Sequence, residues 1–414
     1  MRYLRARSTI LLALVTGPAG SPAHAQAGGS QYAEPHACTP ASLEGTLVLR
    51  SEDRNLAFQF DPRVFIDAAL YQEDKNRLSN GSELRRGRFA ITALLRQEWL
   101  AQFDIDLADN AIEVRDAWIS YTGRRRSLVR VGNFKEPFSL EELTSSRYIT
   151  FMERALPNAL APGRHLGVGY TICGARWQFT TGLFGEEIGD TDRRDDEGYG
   201  VTARLTFAPL QRERRTVHLG LAASYRTPQA DSARPDRVRF HSRPEAHVDR
   251  IRFLTTGRVA NVHNVVLYGL EAATVFGPVS LQGEYIRTRV NRKSGNPDAG
   301  FDGAYGFISW FVTGEARAYV PQEREFGRIT PRRRSGAWEL AARYSTLDLN
   351  EPSAQITGGR ANNITAGLNW YANANIRVMV NYVVVNHDGN ATGGGTALGD
   401  DDFRVWQTRF QVNF

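Results

Sequence analysis

"ITAGLNWYANANIRVMVNY" occupies residues 364–382, and its reading decides the fold. Ile364, Ala366, Leu368 and Trp370 alternate with Thr365, Gly367 and Asn369. Beyond the short turn "ANAN" (372–375), Ile376, Val378, Val380 and Tyr382 alternate with Arg377, Met379 and Asn381. Successive side chains of an extended strand point to opposite faces, so each half of the stretch has one apolar and one polar face. Two such strands joined by a tight turn form an antiparallel pair between two different surroundings.

The pattern recurs in "QFDIDL" (102–107), "VHLGLAASY" (217–225), "WELAARYS" (338–345) and "WQTRFQVNF" (406–414). In the last, Trp406, Thr408, Phe410, Val412 and Phe414 oppose Gln407, Arg409, Gln411 and Asn413. About sixteen such segments lie between residues 56 and 414, an even number of roughly the length a tilted membrane strand needs. Trp99, Trp118, Tyr121, Trp370, Tyr371 and Tyr382 fall near segment ends, where interfacial aromatic girdles belong. Short turns, as at 122–127 and 372–375, interleave with long loops at 135–166, 227–262, 289–301, 314–335 and 386–401. Short turns at one end and long loops at the other are the outer-membrane pattern. The predicted fold class is therefore all-β: a transmembrane antiparallel β-barrel of about sixteen strands. Phe414 would turn its ring to lipid in the closing strand and engage the outer-membrane assembly machinery.

Compartment follows from the first residues. Arg2, Arg5 and Arg7 precede the apolar run 10–15, and Ala23-His24-Ala25 ends it, the form of a secretory signal peptide over 1–25. Residues 26–55 read as a periplasmic N-terminal segment, and 56–414 as the barrel. Removing residues 1–25 takes three arginines and no acid, lowering the formal charge from +6 to +3. Only Lys75, Lys135 and Lys293 are lysines. Codon bias explains that skew as well as selection for arginine's planar fork, which grips oxyanions bidentately. Cys38 and Cys173 are too few for a disulfide scaffold, but in an oxidising compartment at one end of the barrel they can form a single bridge.

If the apolar faces meet lipid, their alternates line a water-filled lumen. Arg86, Arg88, Arg204, Arg226, Arg343, Arg377 and Arg409 fall there, with Asp67, Asp104, Asp106, Glu271, Glu284 and Glu339. Each arginine is read either as a partner for a lumen carboxylate or as part of a row of anion sites. The run Arg332–Arg334 lies in a long loop, where it could attract anions to the mouth. Catalysis finds no support: Glu141 and Glu142 are adjacent and read as solvated loop charges, and the histidines lack metal-ligand spacing. No cofactor, metal or nucleic-acid partner is expected.

The segment "FKEPFSLEELTSSRYITFMERALPNALAPGRHLGVGY" (134–170) closely resembles the phosphate-selective porin O/P family of Gram-negative outer membranes. So do "GLEAATVFGPVSLQGEYIRTRVNR" (269–292), "WELAARYSTLDLN" (338–350) and "LNWYANANIRVMVNYV" (368–383). The resemblance implies a homotrimer of barrels in lipid and lipopolysaccharide, each with an external loop folded into the pore. By position that loop is 135–166, bringing Lys135, Arg147, Arg154 and Arg164 toward the constriction. It also implies an arginine ladder, with Arg239 and Arg243 of "RVRFHSRPEAHVDRIRF" (237–253) as candidates. The expected function is a diffusion channel for anions, phosphate or polyphosphate above all, with a general porin for small hydrophilic solutes as the alternative. An enzyme at the barrel rim and a plugged structural barrel are the readings from other classes.

Overall fold

The computed structural model describes Cys38, Leu43 and residues 47–53, 55–108, 111–124, 126–188, 197–228, 236–293 and 295–414. The expected signal peptide lies outside the described residues. Sixteen long strands follow one another as antiparallel neighbours. The first eight are β1 (Leu56–Gln72), β2 (Gly81–Leu95), β3 (Trp99–Asp106), β4 (Glu113–Arg124), β5 (Ser127–Lys135), β6 (Arg164–Cys173), β7 (Trp177–Phe184) and β8 (Gly200–Arg212). The second eight are β9 (Arg215–Arg226), β10 (Val262–Phe276), β11 (Val279–Arg292), β12 (Ala299–Phe311), β13 (Ala337–Glu351), β14 (Ile356–Tyr371), β15 (Ile376–His387) and β16 (Arg404–Asn413).

β1 pairs with β2 on one edge and with β16 on the other, from Arg63 opposite Asn413 to Gln72 opposite Arg404, so the sheet closes on itself. Closure leaves no row of unpaired backbone groups, the condition for a sheet to sit in hydrocarbon. Where β16 ends, the short strand Leu47–Arg50 continues the pairing along Ala57–Phe60 of β1. Helix among the described residues is confined to single turns such as Leu140–Leu143 and Leu156–Leu160.

The outer face is apolar where the alternation requires it. Trp406, Phe410 and Phe414 are 47%, 45% and 40% exposed, while Gln407, Arg409, Gln411 and Asn413 between them are buried inside. The Phe414 N–H donates to the Pro62 carbonyl at 3.1 Å, so its backbone is held in the seam. Outward aromatics pair across strands, Trp99 on Tyr121 at 4.8 Å and Tyr382 on Trp406 at 4.5 Å. Two expected girdle residues point inward instead. Trp118 lies on the same face of β4 as buried Ser120, and the Arg130 guanidinium covers its ring at 4.0 Å. Tyr371 packs inside on Phe311, and its hydroxyl donates to Glu339 at 2.7 Å. For both, a cation or acceptor in the lumen outweighs the interfacial preference of an aromatic ring.

The connections differ from expectation in two places. Between β11 and β12 the loop is only 293–298, because both strands run further than the sequence pattern suggests. The connection 312–336 is long, yet twelve strands precede it, which places it at the short-turn end. Arg332–Arg334 are therefore not at the long-loop mouth. This segment turns up into the barrel, where Phe326, Ala316 and Tyr319 pack against Leu140 of the opposite loop and Ala273 and Val275 of β10.

Candidate functional site

Two segments enter the lumen from the long-loop end. The first is 136–163. Wall arginines hold it by its backbone: Arg377 donates to the Ile149 and Thr150 carbonyls at 2.8 and 2.9 Å, and Arg409 to Met152 at 2.6 Å. Arg343 donates to the Glu153 carbonyl at 3.0 Å. The second segment, 236–261, is held by apolar contacts. The upper inner faces of β11–β16 carry Ile286, Val290, Leu347, Val383, Val385 and Val405, and Phe253, Leu254 and Val259 cover them. Phe253 packs at a tilt on Phe403, ring centroids 5.4 Å apart, and Phe240 likewise on Phe301 at 5.6 Å. Burying one such side chain contributes about 1.5–3 kcal/mol, and polar ties add to it: His247 bonds Glu83 at 2.8 Å, and Asp249 accepts from the Ser79 N–H at 2.8 Å.

Between the two segments and β2 lies a cleft of about 280 Å³. Arg85, Arg86, Arg154, Asn158, His241, Arg243 and Arg252 line it, with Glu153 and Glu245. Arg85 is there because β2 carries a bulge: Phe65 pairs with Arg86 and Ile66 with Leu84, leaving Arg85 as the extra residue. The bulge lets Leu84 face lipid while Arg85 and Arg86 both face the cleft. Strict alternation separates these neighbours, so sequence reasoning missed Arg85. It also missed Asn158 and Arg252, which carry no periodic signal.

The acids of the cleft are committed. Glu153 accepts from two nitrogens of Arg85, Nε and Nη2, at 2.8 and 2.9 Å, and from Arg409 at 2.8 Å. Glu245 accepts from Arg343 at 2.7 Å and from Thr365 at 2.9 Å. Against its burial, Arg85 beside it holds the Glu153 carboxyl well below the usual range. The cations are less committed. Among the described residues, Arg243 and Arg252 bond no carboxylate, and Arg243 Nε is buried with no partner. Burial and the nearby Arg252 and Arg85 lower the Arg243 guanidinium. Arg86 reaches Asp106 only at 3.9 Å and leaves its own Nε unpaired.

The other expected residues do different things. Arg154 donates to the carbonyls of Glu141, Glu142 and Thr144 at 2.8, 3.0 and 3.0 Å, tying its own loop together at the cleft edge. Lys135 bonds the Glu142 carbonyl and lies 3.4 Å from its carboxylate. Glu141 and Glu142 are thus buried anchors and not solvated charges, because Arg154, Lys135 and Arg343 converge on them. Glu284 accepts from the N–H groups of Leu140 and Glu141 at 3.0 and 2.7 Å, fixing the same turn from β11. Arg164 pairs with Asp116 at 2.8 Å, Arg147 with Asp61 at 3.2 Å, Arg88 with Asp106 at 2.7 Å and Arg204 with Glu271 at 2.6 Å. Arg226 pairs with Glu136 and donates to the Gly185 carbonyl, and Arg239 donates to Thr255 at 3.1 Å. Of the expected arginines, the cleft therefore gathers Arg86, Arg154 and Arg243. At the short-turn end the sulfurs of Cys38 and Cys173 are bonded, with Cα atoms 5.8 Å apart.

A closed sixteen-strand barrel with lipid-facing aromatics and inward-folded loops is an outer-membrane porin. Residues 58–414 match the family described as phosphate-selective porin O and P, and the chain belongs to it. It is 30% identical over 390 residues to an uncharacterized protein of Caulobacter vibrioides, covering 89% of this chain and 75% of that one. To Porin O of Pseudomonas aeruginosa it is 25% identical over 410 residues, covering 90% and 91%. Among solved structures, an anion-selective porin from Comamonas acidovorans superposes with a TM-score of 0.57 at 14% identity, covering 87% of this chain and all of that one. OmpT of Vibrio cholerae gives 0.55 at 11% identity, covering 89% and 100%. At such identities these two show the fold alone.

Proposed function

We propose that the barrel is a passive diffusion channel for anions, phosphate or polyphosphate above all, and that the solute passes the cleft between segments 136–163 and 236–261. One observation carries this reading: Glu153 and Glu245, the carboxylates of the cleft, are already bonded to arginines, while among the described residues Arg243 and Arg252 bond no carboxylate. The charge left to meet a solute is positive. Two unit charges about 4 Å apart interact by roughly 4 kcal/mol at an effective dielectric near 20, enough to exclude cations. A few partly hydrated arginines also bind weakly enough to release the ion, as conduction requires. The protein acts as a channel and not as a catalyst, and it works as a homotrimer amid lipid and lipopolysaccharide. The general-porin reading draws on Arg343, Arg377 and Arg409, whose forks hold loop carbonyls and so are not available as rungs.

Reversal potentials of the purified protein in KCl gradients, followed by phosphate block of the chloride current, separate the two readings. Arg243→Gln should lower anion-over-cation permeability and weaken phosphate block about tenfold, the order expected for one charge-assisted hydrogen bond. Unchanged selectivity and block in a normally assembled Arg243→Gln porin would favour the general channel.

A further inference from the structure

The short turns that join β2 to β3, β4 to β5, β6 to β7 and β8 to β9 are strongly basic. Residues 96–98, 122–127, 174–176 and 211–215 hold eight arginines against two acids, Glu98 and Glu213. The turns at 277–278 and 372–375, on the other side of the barrel, hold no charge. Backbone bonds join the basic turns into one rim: the Thr122 N–H donates to the Glu98 carbonyl at 2.6 Å, Cys173 to Arg126 at 2.9 Å and Ala208 to Arg176 at 2.6 Å. Arg96, Arg124, Arg126, Arg176, Arg212 and Arg215 are exposed on this rim, and among the described residues none of the six bonds a carboxylate. Arg214, by contrast, is taken up by the Gly314 carbonyl at 2.8 Å. Arg212 and Arg215 stand directly opposite each other in their hairpin, a like-charge pair that an anion between them relieves. Arg96 opens its turn in a left-handed backbone, φ 51°, where glycine is easiest; the β10–β11 turn opens on Gly277 with φ 60°.

Next to these turns the outer wall is aromatic. Trp99 packs on Tyr121, and Trp177 lies opposite Phe207, with all four rings exposed. Such rings mark the membrane interface, and the short turns of an outer-membrane barrel face the periplasm. Arg96, Arg124 and Arg176 follow within three residues of this girdle, so they sit at headgroup depth on the periplasmic side. Arginine stems lie along apolar surface while their forks reach phosphate, which they grip with two parallel hydrogen bonds. The turns are too short to carry these charges clear of the lipid toward a soluble partner. We propose that the rim from β2 to β9 is a docking surface for anionic phospholipid of the periplasmic leaflet. Its guanidinium forks bind the headgroup phosphates, and the aromatic pairs beside them lie along the acyl chains. The surface is separate from the lumen, so what the pore conducts has no bearing on it.

The test offers the full-length, detergent-extracted porin an equimolar mixture of phosphatidylglycerol and phosphatidylcholine. The lipid retained through size-exclusion chromatography is then read by mass spectrometry. Both lipids carry a phosphate, but only the first is a net anion. The wild type should retain phosphatidylglycerol about tenfold over phosphatidylcholine. Replacing all six exposed arginines by Gln should bring the ratio to about one, and Arg212→Gln with Arg215→Gln should leave it in between. Arg287→Gln with Arg289→Gln, exposed at the long-loop end of β11, should keep the wild-type ratio. A wild-type ratio near one would overturn the proposal, and acidic periplasmic proteins would then be the partners that such a rim fits. An equal loss of preference in the β11 variant would overturn it too. So would displacement of phosphatidylglycerol by glycerol 3-phosphate at the same concentration, which would mean that the turns hold a free phosphate and not a lipid. If the variant lacking all six arginines does not assemble, the Arg212–Arg215 variant decides: an unchanged ratio there overturns the proposal.

Discussion

Segments 136–163 and 312–336 enter the same lumen from opposite ends and are tied down in opposite ways. In the first, wall cations reach loop carbonyls, Arg343, Arg377 and Arg409 from β13, β15 and β16, with Arg147 of the loop answering Asp61 of β1 besides. In the second, the loop brings its own cations. Arg317 donates to Gln282 at 3.0 Å and lies 3.6 Å over the Phe326 ring, and Arg324 donates to Gln211 at 2.9 Å and to the Gly174 carbonyl at 3.1 Å. An arginine inside a porin is therefore not a binding site by default. Its fork saturates as readily on carbonyls as on oxyanions, and only those that neither loop consumes remain for a solute.

The comparison can be broken at its strongest point, Arg409. It is 1% exposed and forms a two-nitrogen pair with Asp67, both contacts 2.7 Å, besides its bonds to Glu153 and Met152. Arg409→Ala leaves two buried carboxylates short of a partner, so a loss of about 3–5 kcal/mol is expected, the range for breaking a buried pair from one side. Unfolding of the detergent-extracted porin by heat or urea measures it, and proteolysis within 136–163 should appear before global unfolding. Wild-type stability would mean that the wall does not hold the loop.

Arg324→Ala tests the other segment and should act less on stability, by about 1.5–3 kcal/mol for its charged hydrogen bonds. Its signature is conductance: a segment released from the short-turn end should widen the pore and raise single-channel current while the phosphate-to-chloride preference persists. A smaller effect sharpens the contrast through pH. Glu142, buried between Arg154 and Lys135, has its carboxyl lowered from 4.5 to about 2. A depressed folded value contributes stability that is fully present above the unfolded value and lost as pH falls through the folded one. The clamp on 136–163 should thus weaken between about pH 4.5 and 2, seen as noisier open-channel current. Arg154→Gln should shift that onset upward, since it removes the main charge that holds the carboxyl ionised.

The lipid side of the molecule was legible because exposure follows the sequence at period two, as in Trp406, Phe410 and Phe414. The inner side was legible only as a set of residues. Alternation places Arg377 and Arg409 inside but carries no information on whether a carbonyl or an ion meets them. The bulge at Arg85 was hidden because inserting a residue leaves composition unchanged while reversing the phase. The end from which 312–336 enters was available in principle. A segment after twelve strands must return to the end where the first strand began. Its inward course was not, since it rests on contacts such as Leu140 with Phe326 that join distant parts of the chain.

Because the wall grips Ile149, Thr150 and Met152 through main-chain oxygens, that part of the hold does not depend on which side chains these positions carry. A carbonyl survives every substitution that keeps the backbone path. Whereas Phe151 and Glu153 are held by their side chains as well, variation at Ile149 and Thr150 can then proceed without loosening these bonds. Mutational drift should be freer there than at Arg343, Arg377 or Arg409, whose replacement removes several contacts at once. Libraries randomised at Ile149 and Thr150 should yield assembled channels far more often than libraries randomised at those three wall positions.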